Sequence, residues 1–263
     1  MKTNSCGRPL PVRLAPRVDE LLSSWIARHA KFYAIPPLAM LQHCLPNLRS
    51  LRAADLNLTE DQVARVAHLF SIEPTAVRRM TFSNFRQSSR RMIATEPRQS
   101  CSTCSQTSDG APVILRNQFL GWRITCPLCA GTLQTIGDRD GPTPFAGYHH
   151  AALMGQKMLE SEAEHGVQNW VSPSEIARLL LMRLVPKSLP GCEPSGGVII
   201  PDPDDVLQTE ISKLPSRARP ILPLYLRPAL LAGVAIIQHA RPEMLRMLSS
   251  HMMGENKAAS TVR

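Results

Sequence analysis

Residues 101–129 read CSTCSQTSDGAPVILRNQFLGWRITCPLC. Cys101 and Cys104 form one CxxC pair, Cys126 and Cys129 a second, and 21 residues (105–125) lie between them. A two-residue gap lets both sulfurs of a pair reach one ion, and a shared ion then closes the long loop by joining the pairs. Four thiolates complete a tetrahedral shell, so the spacing predicts one structural Zn2+ held by Cys101, Cys104, Cys126 and Cys129. A catalytic zinc would keep an open position and usually carry His or carboxylate ligands. A redox dithiol needs only one CxxC, usually beside a βαβ pattern, and none is present. Four buried thiols without metal are the remaining alternative. In Cys126-Pro127-Leu128-Cys129-Ala130-Gly131 the proline stiffens the knuckle, and Gly131 is suited to the positive φ such a turn often needs. His149 and His150 stand downstream as possible substitute ligands, while Cys6, Cys44 and Cys192 have no paired partner and read as free thiols. Between the pairs, Phe119–Thr125 reads as a strand with partial alternation.

Helical signals surround this module. Upstream, Val18, Leu21, Leu22, Trp25, Ile26 and His29 recur at spacings of three and four and predict a helix that Pro36-Pro37 ends. A short helix is expected near Leu38–Cys44. Thr59 and Gln62 form a capping box before Asp61–Phe70, Ser71-Ile72-Glu73 supplies a turn, and Pro74 suits the first position of the next helix. Two helices so joined have the form of a helix-turn-helix. The second carries Arg78 and Arg79, with Arg86, Arg90 and Arg91 close behind, and these five are the candidate nucleic-acid contacts. Downstream, residues 137–147 read as loop, helices are expected at His149–His165 and from Ser172-Pro173-Ser174-Glu175 to about Val185, and residues 186–205 as loop or linker. Two more helices are expected near Pro228–Ala240 and Pro242–Met252, before a disordered tail.

The chain's net charge is +9 and its aromatic content 5%. Scarce aromatics weigh against a single-strand stacking platform. Residues 1–100 hold 15 Lys or Arg against 7 Asp or Glu, and so nearly all of the excess. That asymmetry points to a polyanion, or simply to a soluble basic face. Pro9, Pro11 and Pro16 alternate with Arg8, Arg13 and Arg17, which predicts an extended basic arm able to strap a partner protein. No apolar run follows Lys2, and Ala229–Ala240 is too short to span a bilayer. With seven cysteines the expectation is a reduced, cytoplasmic protein away from membranes.

The motifs of common enzymes are missing: no GxxxxGK[ST] loop, no GxGxxG after a strand, no HExxH, no GxSxG. Asp138, Asp140, Asp202, Asp204 and Asp205 fall in Pro/Gly-rich loops, where acids form turns and caps. No catalytic residue is expected.

Arg8-Pro9-Leu10-Pro11 with Pro16, followed by Asp19-Glu20-Leu21-Leu22-Ser23-Ser24-Trp25-Ile26-Ala27-Arg28, resembles the opening of the TniQ family. The helix pair over Val63–Met80 and the zinc region, with Trp122-Arg123 before Cys126-Pro127, are similar to the later parts of that family's pattern; the resemblance covers about residues 8–133. Cys129 stands where the family commonly has histidine, and a further CxxC common in the family is missing. The resemblance implies a non-enzymatic adaptor of bacterial transposition. Such a protein links target DNA, or an RNA-guided target complex, to an AAA+ ATPase that recruits the transposase. A zinc-stabilised helix-turn-helix transcription regulator is the competing reading. The expected fold is mainly α. Residues 1–98 would form the arm and a helix-turn-helix-like domain, 99–136 a small zinc-bound β-hairpin module, 148–253 a C-terminal helical region, and 254–263 a tail.

Overall fold

The computed structural model of the chain describes residues 8–106, 113–136, 145–166, 172–184 and 222–240. They fall into two compact units, residues 1–138 and 139–263, each taken by itself. The architecture is mainly helical. Among the described residues, no helix is long and apolar enough to cross a membrane.

In the first unit, helices α1 (Leu22–Phe32), α2 (Pro37–Cys44), α3 (Leu51–Leu56), α4 (Glu60–Phe70), α5 (Pro74–Arg79) and α6 (Gln87–Arg90) precede the cysteine module. Helix α1 starts at Leu22, not at Val18 as the apolar spacing suggests. Asp19 takes a left-handed φ of 60°, which a continuing helix cannot accommodate, and Val18 is left 72% exposed. Residues 19–21 instead run beside residues 114–117. Leu21 N–H donates to Ile114 O, Arg116 N–H to Asp19 O, and Asn117 N–H to the Asp19 carboxylate. The α1 N-terminus is therefore buried, and its first amides need partners from elsewhere. Leu22 N–H finds Met80 O, and Ser23 N–H finds Asp55 Oδ1 at 2.9 Å.

The face of α1 carrying Leu22, Trp25, Ile26, His29 and Ala30 enters the core, against Met40, Leu41, Val63, Val66, Leu69 and Phe70. Trp25, His29 and Phe70 pack mutually, with ring centroids 4.4–4.9 Å apart. Thr59 and Gln62 close the expected capping box on α4, Ser71 ends that helix at a left-handed φ of 48°, and Pro74 opens α5. Helices α3 and α6 have no counterpart in the sequence reading, since six and four residues are too few for helical periodicity to register.

A second layer continues from this core. Phe82 and Phe85 meet Phe119 and Trp122. The Arg52 guanidinium sits 4.5 Å from the Phe119 ring centre, and that of Arg116 lies 5.3 Å from Phe85. Phe119–Thr125 is not the expected strand. Its backbone is satisfied piecemeal: Ala94 N–H donates to Phe119 O, Gly121 N–H to Met92 O and Leu133 N–H to Ile124 O. With Phe119, Leu120, Trp122 and Ile124 all buried, the alternation that reads as one strand face serves an irregular segment enclosed by the fold.

The second unit holds α8 (His149–His165), α9 (Pro173–Leu184) and α10 (Arg227–His239). Ser172 accepts from Glu175 N–H as the expected N-cap, and Glu162 of α8 accepts from Ser174 N–H and its hydroxyl, so α8 holds the start of α9. Helices α8 and α10 pack backbone to backbone: a Cβ on Gly155 would lie 1.9 Å from Leu231 O. The helix expected near Pro242–Met252, the linker at 186–205 and the tail at 254–263 lie outside the described residues, as does most of the expected loop at 137–147.

Candidate metal centre and basic face

Cys101 follows strand β1 (Gln99–Ser100), and Cys104 lies in the short helix α7 (Ser102–Gln106). Cys126 and Cys129 occupy a tight turn flanked by the bridge Thr125–Thr132. Strand β2 (Gln134–Thr135) comes directly after and pairs antiparallel with β1, Gln99 opposite Thr135 and Ser100 opposite Gln134. This pairing brings together two CxxC segments that are far apart in the chain. Within the turn, Cys126 N–H donates to Gly131 O and Ala130 N–H to Cys126 O. The left-handed residue is Ala130, at φ 58°, not Gly131. Gly131 is constrained for space instead, because a Cβ there would stand 3.3 Å from the Cys129 sulfur.

All four sulfurs lie within 4.8 Å of one another. The short approaches cross between the pairs: Cys101 to Cys129 at 3.4 Å, Cys104 to Cys126 at 3.8 Å. A disulfide needs about 2.05 Å. A tetrahedron with metal–sulfur bonds of about 2.3 Å has edges of about 3.8 Å, so the cluster has the size of a single-ion site. The charge balance agrees. Burial would raise the Cys101 thiol, yet hydrogen bonds from Cys104 and the other three sulfurs bring it down to about 7. Burial and those same sulfurs push Cys104 up to about 12. Four thiols this close cannot all ionise by themselves, and a divalent cation removes that repulsion. The four cysteines can thus hold one metal ion, with Cys101 and Cys126 buried and Cys129 at the exposed tip beside Pro127 and Leu128. Gln99, which sequence reasoning missed, docks the module: its buried amide donates to Asn117 O and Leu120 O. Cys44 is a buried thiol pushed up to about 12 by desolvation and stands apart from the cluster. His149 and His150 belong to α8 in the second unit; Cys6 and Cys192 lie outside the described residues.

The five candidate nucleic-acid arginines differ in their surroundings. Arg78 pairs with Glu60 of α4. Arg90 is a strut, donating to Phe85 O at 2.8 Å, to Asn57 Oδ1 at 2.9 Å and to Ser83 O. Arg79, Arg86 and Arg91 are exposed. The arm is extended, as its prolines require, but it does not hang free. Leu10 N–H donates to Leu69 O, and Val12 brackets the Tyr33 hydroxyl with both its N–H and its carbonyl. Leu14 accepts from the Trp25 indole at 2.8 Å and donates to His29 Nε2 at 2.9 Å. Residues 10–15 are thus part of the first unit's fold. Arg8, Arg13 and Arg17 still point their charge to solvent, each being exposed.

The opening segment is held by its polar residues as much as by Trp25. Glu20 is fully buried and takes a two-pronged contact from Arg28, both at 2.7 Å, plus Arg17 N–H. Ser24 donates to Glu20 and accepts from Ile114 N–H. Asp55 has no signature in the sequence: no local pattern reveals a carboxylate that caps a helix 32 residues away.

No curated protein and no solved structure matches the chain. Residues 11–139 match the TniQ family, a span that begins within the arm, after Leu10, and takes in α1–α7 and the whole four-cysteine centre. Through this segment the chain carries a TniQ domain.

Proposed function

We propose that the chain is a non-enzymatic, zinc-binding adaptor of bacterial DNA transposition that links target recognition to a partner AAA+ ATPase and, through it, to the transposase. The observation that carries this is the TniQ match over residues 11–139, which associates the chain with transposition. Its partners would supply the ATP and phosphodiester chemistry. The metal is zinc, because four thiolates on a tetrahedron of this size suit that ion and close its shell. Its role is structural: it ties α7 to the knuckle and, through β1, to Gln99 and the aromatic layer. Arg79, Arg86 and Arg91 supply the charge for target DNA or an RNA-guided target complex, and Arg8, Arg13 and Arg17 that for a protein partner.

The competing regulator reading needs a recognition helix. Helix α5 has six residues, and one of its two arginines, Arg78, is paired with Glu60. The test is an insertion assay reconstituted with a candidate partner transposase and AAA+ ATPase. Insertion at the target is expected only when the chain is added, with the chain retaining the ATPase on affinity resin. A chain that by itself protects a palindromic site as a dimer, and is dispensable for insertion, contradicts the adaptor reading.

A further inference from the structure

Between α1 and α2 the chain turns a corner that is apolar and open. Phe32 is 53% exposed, Ile35 39% and Leu38 44%. Ala34, Pro36, Pro37 and Ala39 between them are exposed too. Val12 of the arm, 45% exposed, joins this surface: its backbone clasps the Tyr33 hydroxyl, and the Tyr33 ring meets Phe32 edge to face at 5.2 Å. The corner is also conformationally forced. Ala34 sits at φ 53°, a left-handed conformation that an alanine adopts only when its surroundings impose it, and Ile35 N–H is turned back onto Ala30 O. Scattered exposed apolar residues are ordinary, but contiguous ones on a constrained corner are the usual mark of a binding surface.

Charge decides the occupant. From Leu21 to Ala54 the sequence has no Asp or Glu. Arg13, next to Val12 in the chain, and Lys31, next to Phe32, are both basic and exposed. An apolar centre flanked by these basic residues complements an apolar segment that carries acid. Nucleic acid fits less well, since the centre offers Val, Ile, Leu and Pro, with no cation and a single open aromatic ring, where phosphate and bases need cations and stacking faces. We infer that the Val12–Phe32–Ile35–Leu38 corner is a docking surface for an acidic amphipathic helix of a partner protein. This rests on the adaptor reading only in expecting a protein partner, and its test uses no DNA-insertion assay, ATPase or transposase, so either can fail without the other.

The experiment is selection from a phage library of random peptides about 16 residues long, enough for roughly four helical turns, on the full chain. The Phe32→Ser/Leu38→Ser double variant serves as counter-selection; both residues are exposed, and its melting curve confirms the fold. Enriched peptides should be net negative with apolar residues at spacings of three and four. Made synthetically, they should lose at least about tenfold in affinity to the double variant, as expected for uncovering two large apolar side chains. Arg13→Glu should weaken the same peptides and make binding less salt-sensitive. No enrichment over the double variant, or enrichment of neutral or basic peptides, overturns the inference. So does a chain dimer in sedimentation that the double variant abolishes, because the occupant is then a second copy. So does binding to duplex DNA, or to vesicles with one-third phosphatidylserine, that the double variant abolishes.

Discussion

Glu20 and Asp55 are buried carboxylates serving one helix, and they differ in how they are held. Glu20 has the Arg28 guanidinium across both oxygens. Asp55 has burial against it, which raises its carboxyl from 3.8 to about 6, while the hydrogen bonds from Ser23 and the Arg52 charge 3.8 Å away pull it down only partly. Folded Asp55 therefore holds its proton more tightly than the unfolded chain does. Its contribution to stability is fullest below pH 4 and declines as pH rises through about 6, by about 3 kcal/mol at about 1.4 per unit. Asn keeps the acceptor for Ser23 N–H without the charge. The stability of Asp55→Asn relative to wild type should therefore grow by roughly that amount between pH 4 and pH 7. Denaturant titrations at the two pH values measure it, and a flat difference means that Asp55 is ionised without cost. The comparison isolates Asp55, because His29, whose pKa burial lowers, titrates in both proteins. At the centre of the same helix, Trp25→Ala should cost about 3–5 kcal/mol, as for other buried aromatics, and it also strands Leu14 O.

At the scale of elements, contacts show which parts of the arm and which of the arginines after α4 also hold the fold. Deleting residues 1–16 strips the partners of the Trp25 indole and of His29. Each buried polar group so stranded costs about 1–3 kcal/mol. The truncated chain should thus melt measurably lower while keeping its metal, whereas an unchanged melting temperature would mean that the arm adds nothing to the fold's stability. Among the arginines, replacing only Arg79, Arg86 and Arg91 by Ala spares the Arg78–Glu60 pair and the Arg90 strut. If these three meet phosphate, affinity should fall at all sequences, and the slope of log K against log salt should flatten by about 0.9 per lost contact. Unchanged binding with the fold intact assigns them to solvent. Sequence range decides which elements are legible at this scale. The α4 capping box, Pro74 at the start of α5 and the Ser172 cap are local, so they read directly from neighbouring residues. The partners of Phe119–Thr125, of the arm and of Asp55 lie from nine to several tens of residues away, beyond the reach of helical or strand periodicity.

Across the whole molecule, the four-cysteine centre is the most legible feature, because CxxC spacing encodes its own geometry. Less legible is how the centre is carried. Strands β1 and β2 have two residues each, and Gln99, Asn117 and Leu120 dock the module through backbone carbonyls that leave no pattern. The second unit is visible as helices, but its closest packing is not: Gly155 reads as a weak helix former until Leu231 O is seen against it. Leucine at that position should force α8 and α10 apart, at a cost of at least about 1–3 kcal/mol from overpacking, read as a lower melting temperature.

The central claim is that one ion joins the two CxxC pairs into the module that completes the TniQ domain. Native mass spectrometry of the purified full chain, with elemental analysis alongside, tests it directly. The account predicts one zinc per chain, lost together in Cys104→Ser/Cys126→Ser, with chelation lowering the melting temperature of the wild type and leaving that of the variant unchanged. A chain that is metal-free as purified, or that keeps its full thermal stability once stripped of the ion, contradicts it.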